Sequence, residues 1–390
     1  MHVVGRAVCA ALPRVRQEPA DMATAGQSGP SAAIRERLSR FRAEMKKSKV
    51  RAYLVTRHMD LFYLTGFTGE DSAGLITENE VNLISDGRFE EAIRQECPWA
   101  RVWMRKGLLI PEIASVCEKL KLRSAAVQGD QMTIAARAEL EKLNPGTRLT
   151  VGPDITGQMR RAKDAEEMKV LNRAIRIAEE AFLAMRAQIR TGQTELELAA
   201  RLEYEMKCRG ASGTSFTTIV AEGPNSALPH AHPGRRKVRE GSAILFDWGA
   251  RYGMYCSDLT RMVFVGRVPP KFARIYPLVL EAKERSTAAI APGRKMCDVD
   301  EVARSFIRDA GFEKEFNHGL GHGVGLDIHE PPSLSWRSDE PLAAGMVVTV
   351  EPGIYLPGVG GVRIEDDVLV TARGRRKLSR LSTALDDAVL

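Results

Sequence analysis

Two stretches of this chain place acidic residues inside apolar strands, and a fold can bury such charges only by giving them partners. In AILFDWGARYGMYCSDLTRMVFVG (243–266) the turn centres on Tyr252–Gly253, and Asp247 and Asp258 are equidistant from it. A tight hairpin then sets the two acids opposite each other, with Cβ atoms roughly 5 Å apart. In VVTVEPGIYLPGVGGVRIEDDVLV (347–370) Glu351 and Glu365 are equidistant from Gly358, across a longer loop. Like charges directly opposed destabilise a sheet. An unpaired buried carboxylate costs several kcal/mol or becomes neutral. Both pairs therefore call for cations. Arg261 and Arg363 lie close enough in sequence to act as ion-pair partners; metal ions are the other answer.

The histidines favour metal. Of seven, five fall within residues 230–329: His230, His232, His318, His322 and His329. One buried histidine is usually structural, but five beside glycine-rich turns need another reason. His322 lies in NHGLGHGVGLDIHE (317–330), between the acid hairpins. Its glycines permit close backbone approach and unusual dihedrals. They also argue against a helix, and the HExxH helix of zincins is absent. Four carboxylates and one neutral imidazole carry four negative charges, which balance two divalent cations. Ions about 3.5–4 Å apart activate a bridging water and polarise a substrate carbonyl. Mostly oxygen donors with one imidazole suit manganese, iron, cobalt or zinc.

The 390 residues suggest two domains. Residues 31–155 alternate helix and strand, with helices over 34–47, 88–96, 111–120 and 133–143 and a hairpin over 73–86, and predict an α/β domain with a mixed sheet. The turn-rich segment 144–158 reads as the join. From 156 to 390, helices starting at the capping pairs Asp164/Glu167, Thr194/Glu197 and Asp298/Glu301 are segregated from hairpins, which predicts an α+β domain. A helix-then-hairpin order occurs twice. Residues 1–30 show no clean cleavage site and read as a disordered extension, with Met22 as an alternative start.

Six widely spaced cysteines favour free thiols in a reducing compartment, so a cytoplasmic location is expected. No apolar stretch is long enough to span a bilayer, and no membrane partner is expected. Net charge is +7, much of it in the runs 234–239 and 373–380. No aromatic residue interleaves either run, so they read as solvated surface and not as a nucleic-acid platform.

Together the motifs resemble the pita-bread metallopeptidases, the family of methionine aminopeptidase, aminopeptidase P and prolidase, from about residue 31 onward. The family's five metal ligands correspond in order to Asp247 in FDWGA, Asp258 in SDLTR, His322 in GLGHGVG, Glu351 in TVEPGIY and Glu365 in RIEDD. The proline-directed branch adds further matches. His230 in NSALPHA resembles its substrate-contacting histidine, His329 in DIHEPP the partner, and Arg363 in GVRIEDD the active-site arginine. His318 resembles the histidine lining the proline pocket, and Tyr355 in EPGIY a tyrosine behind the first metal aspartate. The N-terminal domain also resembles that of the creatinase and prolidase branch, which methionine aminopeptidases lack.

The resemblance implies a creatinase/prolidase-type N-terminal domain, a catalytic pita-bread domain, two divalent ions (manganese first), and homodimerisation. It implies cleavage of the bond before a proline at the second position, with Glu351 moving the proton and His230 and His329 holding the carbonyl oxygen. Two departures bear on substrate. The stretch after NSALPHAHP is Gly234-Arg235-Arg236-Lys237, where many members have an acidic residue. Four residues after His329, where many prolidases carry an arginine suited to a dipeptide's carboxylate, this chain has Ser333, with Arg337 as a possible substitute. On that ground an Xaa-Pro aminopeptidase is expected before a prolidase. A creatinase-like hydrolase or a metal-free peptide-binding homologue is the distant alternative, and the intact ligand set argues against it.

Overall fold

The computed structural model describes residues 29–390. The expected extension over 1–30 lies, apart from its last two residues, outside them. Among the described residues no helix is long and apolar enough to cross a membrane.

The first part runs α1 (Ala32–Lys47), β1 (Ala52–Val55), α2 (His58–Thr65), β2 (Ala73–Thr77), β3 (Val81–Asp86), α3 (Glu90–Glu96), β4 (Arg101–Arg105), α4 (Leu109–Lys119), β5 (Ser124–Gln128), α5 (Ile134–Leu143), β6 (Arg148–Gly152) and α6 (Ile155–Arg160). Its sheet has the order β4-β3-β2-β1-β5-β6. β2 pairs antiparallel with β1 and β3, whereas β3–β4, β1–β5 and β5–β6 are parallel, so the sheet is mixed as expected. The segment 144–158 corrects the sequence reading. It is not simply a join but holds β6 and α6. Only Leu149 of β6 is buried, which left no alternation to read.

α7 (Ala165–Arg186) and α8 (Glu195–Cys208) open on the two expected capping boxes, Asp164 with Glu167 and Thr194 with Glu197. β7 (Gly213–Thr214), β8 (Ile219–Glu222), β9 (Ala243–Trp248), β10 (Ala250–Tyr252), β11 (Tyr255–Cys256) and β12 (Leu259–Phe264) follow. A second round repeats the pattern with α9 (Pro270–Ala289), α10 (Met296–Asp309), β13 (Gly321–Gly323), β14 (Glu330–Leu334), β15 (Val347–Val350), β16 (Gly353–Leu356), β17 (Gly360–Arg363), β18 (Asp366–Thr371) and β19 (Gly374–Lys377).

α9 was not read from the sequence. It has Pro270 in its first turn and buries Phe272, Ile275, Tyr276 and Val279, but Pro277 inside it masks the helical signal. α10 begins at Met296 behind Lys295, so Asp298 and Glu301 are not a capping pair. With α9 present, each acid hairpin has a helix pair behind it.

β9 lies between two core clusters. Ile244, Phe246 and Trp248 pack against α7 and α8, where the Trp248 ring stacks on Phe182 at 4.4 Å. Ala243 and Leu245 face the second cluster, with Phe264, Tyr276 and Val348. The two-residue period therefore turns Asp247 toward the middle of the domain.

The hairpin registers depart from the sequence spacing in one case and match it in the other. In the first, Asp247 pairs with Thr260 and Tyr252 with Tyr255, so the turn is centred on Gly253–Met254, not on Tyr252–Gly253. Both turn residues have positive φ, 52° and 71°, the two-residue geometry that matches strand twist. Asp258 is thus two residues out of the expected register and lies in the break between β11 and β12. In the second hairpin Gly353 pairs with Arg363 and Val350 with Asp366. Both pairs are centred on Gly358, so Glu351 and Glu365 fall at the register expected of them.

Candidate metal centre

The structure brings the acids together. Oxygens of Asp247, Asp258 and Glu365 lie within 4.8 Å of one another, all buried. Glu351 joins through His322, whose Nε2 is 3.3 Å from Glu351 Oε1 and 3.7 Å from Asp258 Oδ2. Two carboxylate oxygens, Asp247 Oδ1 and Glu365 Oε1, are buried without a hydrogen-bond partner among the described residues. Orphaned buried oxygens are costly, and a cation satisfies them. The donor set of four carboxylates and one imidazole fits oxygen-preferring divalent ions.

Backbone geometry aims His322 at this cluster. Its Nδ1 donates to the Gly323 carbonyl at 3.1 Å, so Nε2 is the nitrogen turned to the acids: it shares a proton with Glu351 in the metal-free site and would exchange that proton for a cation. Gly321 and Gly323 allow the flanking backbone close approach; a Cβ at Gly321 would meet the Thr349 carbonyl oxygen at 2.0 Å. Thr349 Oγ1 accepts the His322 backbone N–H and bonds Glu351, joining the loop to β15.

Charge is distributed unevenly. Burial, then neighbouring carboxylates, pushes Asp258 and Glu365 well above the usual range. Burial also raises Asp247, against the pull of Arg363. Burial would raise Glu351 too, but the His322 hydrogen bond and nearby positive groups outweigh it and hold the carboxyl at about 2.

Arg363 is engaged entirely by protein groups. It pairs with Asp247 at 2.5 Å, and donates to Thr260 Oγ1 at 3.1 Å and to Tyr355 OH at 2.8 Å. Tyr355 OH in turn lies 2.9 Å from His318 Nε2, and His318 Nδ1 donates to the Gly319 carbonyl. Tyr355 thus stands behind Asp247 through Arg363. Of the two arginines considered as ion-pair partners, Arg363 serves Asp247, while Arg261 serves Asp366 at 2.7 Å.

A cavity of about 780 Å³ opens onto the centre, within the range of small-ligand sites. His230, His318 and His329 line it with the five acid and imidazole groups, and Phe216 and Ile328 supply apolar wall. Ser333 and Arg337 line it too, and Ser333 pairs with His322 across the β13–β14 ladder. Burial, then His322, lowers the His329 pKa, and the two rings meet edge to face at 4.3 Å.

Several supporting residues escaped sequence reading. Asp367 is buried, accepts the Asp258 N–H at 3.3 Å and has an orphaned Oδ1; burial pushes it up to about 8. Its signal was the third consecutive acid in IEDD. Glu195 accepts N–H groups of Glu222, Asn225 and Gly234, so it holds the loop carrying His230 despite the departure at 234–237. Beside His329 lies an ionic network. Arg160 pairs with Asp60 at 2.8 Å and contacts Asp327 and Glu330, and Lys163 reaches Glu330 at 2.6 Å. Arg57 completes it on Asp327 at 2.7 Å. No local pattern marks these residues, because Arg160 and Glu330 are 170 apart in sequence.

This network yields an expectation. Arg160 is 3% exposed, and removing one member of a buried charge network costs about 3–5 kcal/mol. Arg160→Met is expected to lower Tm by several degrees. An unchanged Tm means that the network is worth little to the fold.

Comparison with known proteins agrees with this geometry. The pattern of Metallopeptidase family M24 matches residues 169–372, and that of the Creatinase/Prolidase N-terminal domain matches 37–161. The structure of an Xaa-Pro dipeptidase from Bacillus anthracis is 35% identical, with TM-score 0.86, covering 92% of this chain and 100% of that one. An X-Pro aminopeptidase from Thermotoga maritima MSB8 is 37% identical, with TM-score 0.82, covering 88% and 99%. An Xaa-Pro dipeptidase of Pyrococcus horikoshii is 33% identical over 358 residues, 90% of this chain and 99% of the relative.

Proposed function

The chain belongs to metallopeptidase family M24, whose members imply divalent metal ions, and on that premise we propose that it hydrolyses the bond between an N-terminal residue and a following proline. The observation carrying this reading is the set of buried, orphaned carboxylate oxygens facing a histidine-lined cavity. Asp247, Asp258, His322, Glu351 and Glu365 would hold two ions, manganese first, with cobalt, zinc or iron also accepted. When bound, such ions activate water and polarise the scissile carbonyl.

The chain's own residues do the rest. Glu351, ionised at neutral pH, accepts the proton of the attacking water and passes it to the prolyl nitrogen as the C–N bond breaks. His230 and His329 hold the carbonyl oxygen as negative charge develops on it. His318 has both ring nitrogens engaged by protein, so it serves as a wall for the proline ring beside Phe216 and Ile328. Arg363 fixes Asp247 in place. The same reading divides the chain into an N-terminal domain over 31–155 and a catalytic domain over 156–390. It places the enzyme in the cytoplasm, where the five free cysteines among the described residues suit a reducing medium.

Substrate length separates two names. The sequence alone favoured an aminopeptidase, because Ser333 replaces a carboxylate-gripping arginine. The named relatives include dipeptidases, and Arg337 lines the same cavity without an ion-pair partner among the described residues. We therefore favour the Xaa-Pro dipeptidase, with Arg337 as the carboxylate anchor. Ser333 and the Thermotoga relative keep the aminopeptidase as the second reading. Comparing kcat/KM for Xaa-Pro and Xaa-Pro-Yaa on manganese-loaded enzyme decides it. A dipeptide preference of about tenfold, roughly 1.4 kcal/mol, that collapses in Arg337→Ala supports the first. A tripeptide preference unaffected by Arg337→Ala supports the second, and Ser333→Arg is then expected to shift it toward dipeptides.

A further inference from the structure

A second cavity lies on the flank of the catalytic half and shares no lining residue with the first. It measures about 340 Å³ and forms where α7 passes the end of β19. Lys169, Arg173 and Arg176 line it from the helix, and Arg376, Lys377 and Arg380 line it from the chain end. The sequence marked 373–380 only as a basic run; the fold closes it against a second basic face.

We propose that this groove binds a compact anion carrying two or more phosphate groups. Six cations converge on one concavity, and among the described residues only Lys169 and Lys377 of them meet a carboxylate. Glu166 pairs with Lys169, and Glu179 accepts the backbone N–H groups of Arg380 and Leu381. Asp366 is taken by Arg261 and Lys283, with Lys377 more distant at 3.6 Å. Among the described residues Arg173, Arg176, Arg376 and Arg380 are exposed and have no carboxylate partner, so their guanidinium groups are open to a ligand. Guanidinium forks match phosphate oxygens two at a time. Among the described residues Leu378 is the sole apolar lining residue and no aromatic lines the groove, which gives a nucleobase nothing to stack on. The cations line one cavity of about 340 Å³, a volume that suits a small polyanion.

The test is calorimetric titration of the metal-loaded enzyme at about 50 mM salt, where screening is modest. The probes are orthophosphate, pyrophosphate and tripolyphosphate, applied to wild type and to the double variant R176E/R376E. Polyphosphates also draw on the active-site metal, so both proteins are titrated metal-free as well, and the affinity compared is that of the site present with and without metal. Affinity is expected to rise with phosphate number and to fall at least about tenfold in the double variant, with peptidase activity unchanged. If the double variant fails to fold, R176Q and R376Q singly are each expected to weaken tripolyphosphate binding. Equal affinity in wild type and variants overturns the proposal. So does an oligonucleotide that binds this groove more tightly than tripolyphosphate.

Discussion

Chelation is expected to abolish peptidase activity, and manganese or cobalt to restore it at about two ions per chain. The physical ground is the cost of the empty donor set. Three carboxylates meet within 4.8 Å, and among the described residues two of their oxygens have no partner and Arg363 compensates only Asp247. The fold carries this repulsion unless protons or metal ions neutralise it, and that gives the prediction a pH dependence. Asp258 and Glu365 titrate well above ordinary carboxylates, and Asp367 is pushed up to about 8, chiefly by burial. The metal-free fold therefore keeps protons that the unfolded chain releases near pH 4. The stabilisation they give is complete below that unfolded value and is lost as pH rises toward about 8. Metal must displace those protons, so its affinity and the rise in Tm it produces should both grow between about pH 5 and pH 8. Tm measured with and without manganese across that range checks the sign. Full activity after chelation, or a metal-induced rise that shrinks with increasing pH, contradicts the metal centre.

How much of this was legible in the sequence depends on how far each signal reaches. The Glu351–Glu365 register followed from equal spacing about Gly358, because the loop between them preserves the count. The Asp247–Asp258 register did not, because Met254 takes a positive φ that no sequence rule assigns to methionine, and the turn moves one residue along. The two acids still meet, since Asp258, in the break between β11 and β12, comes within 4.8 Å of Asp247 and Glu365. Capping boxes at Asp164 and Thr194 were visible because both partners lie within one helical turn. The Asp298 pair looked the same locally, but helix α10 starts earlier to bury Met296. Pro277 hid α9, although the buried residues around it keep helical spacing. The supports of the site were the least visible. Glu195, Arg160 and Lys163 act on partners that only the folded chain brings near, and single-sequence spacing carries no record of them.

His329→Ala is expected to lower kcat by roughly 10²–10³, the cost of losing one donor to a developing oxyanion, while metal content stays near that of the wild type. The expectation rests on a difference between two neighbouring rings. His322 has Nδ1 tied to the Gly323 carbonyl and Nε2 turned to Glu351 and Asp258, which is the posture of a ligand. His329 lies 4.3 Å from it, lines the cavity and has its pKa lowered by burial and by His322. A neutral imidazole at that place can donate one N–H to a carbonyl oxygen without bringing a second positive charge to the metal centre. His322→Ala should accordingly lower metal occupancy, with activity lost in proportion. The ionic network under Glu330 gives the comparison a control. Glu330→Gln leaves the His329 ring intact but weakens the Arg160 and Lys163 contacts that set its backbone. Its kcat loss should therefore be smaller than that of His329→Ala and accompanied by a fall in Tm. Metal content, kcat and Tm measured together on the three variants separate ligand, oxyanion donor and positioning residue. Equal metal loss in His322→Ala and His329→Ala would erase the distinction and make His329 a sixth member of the donor set.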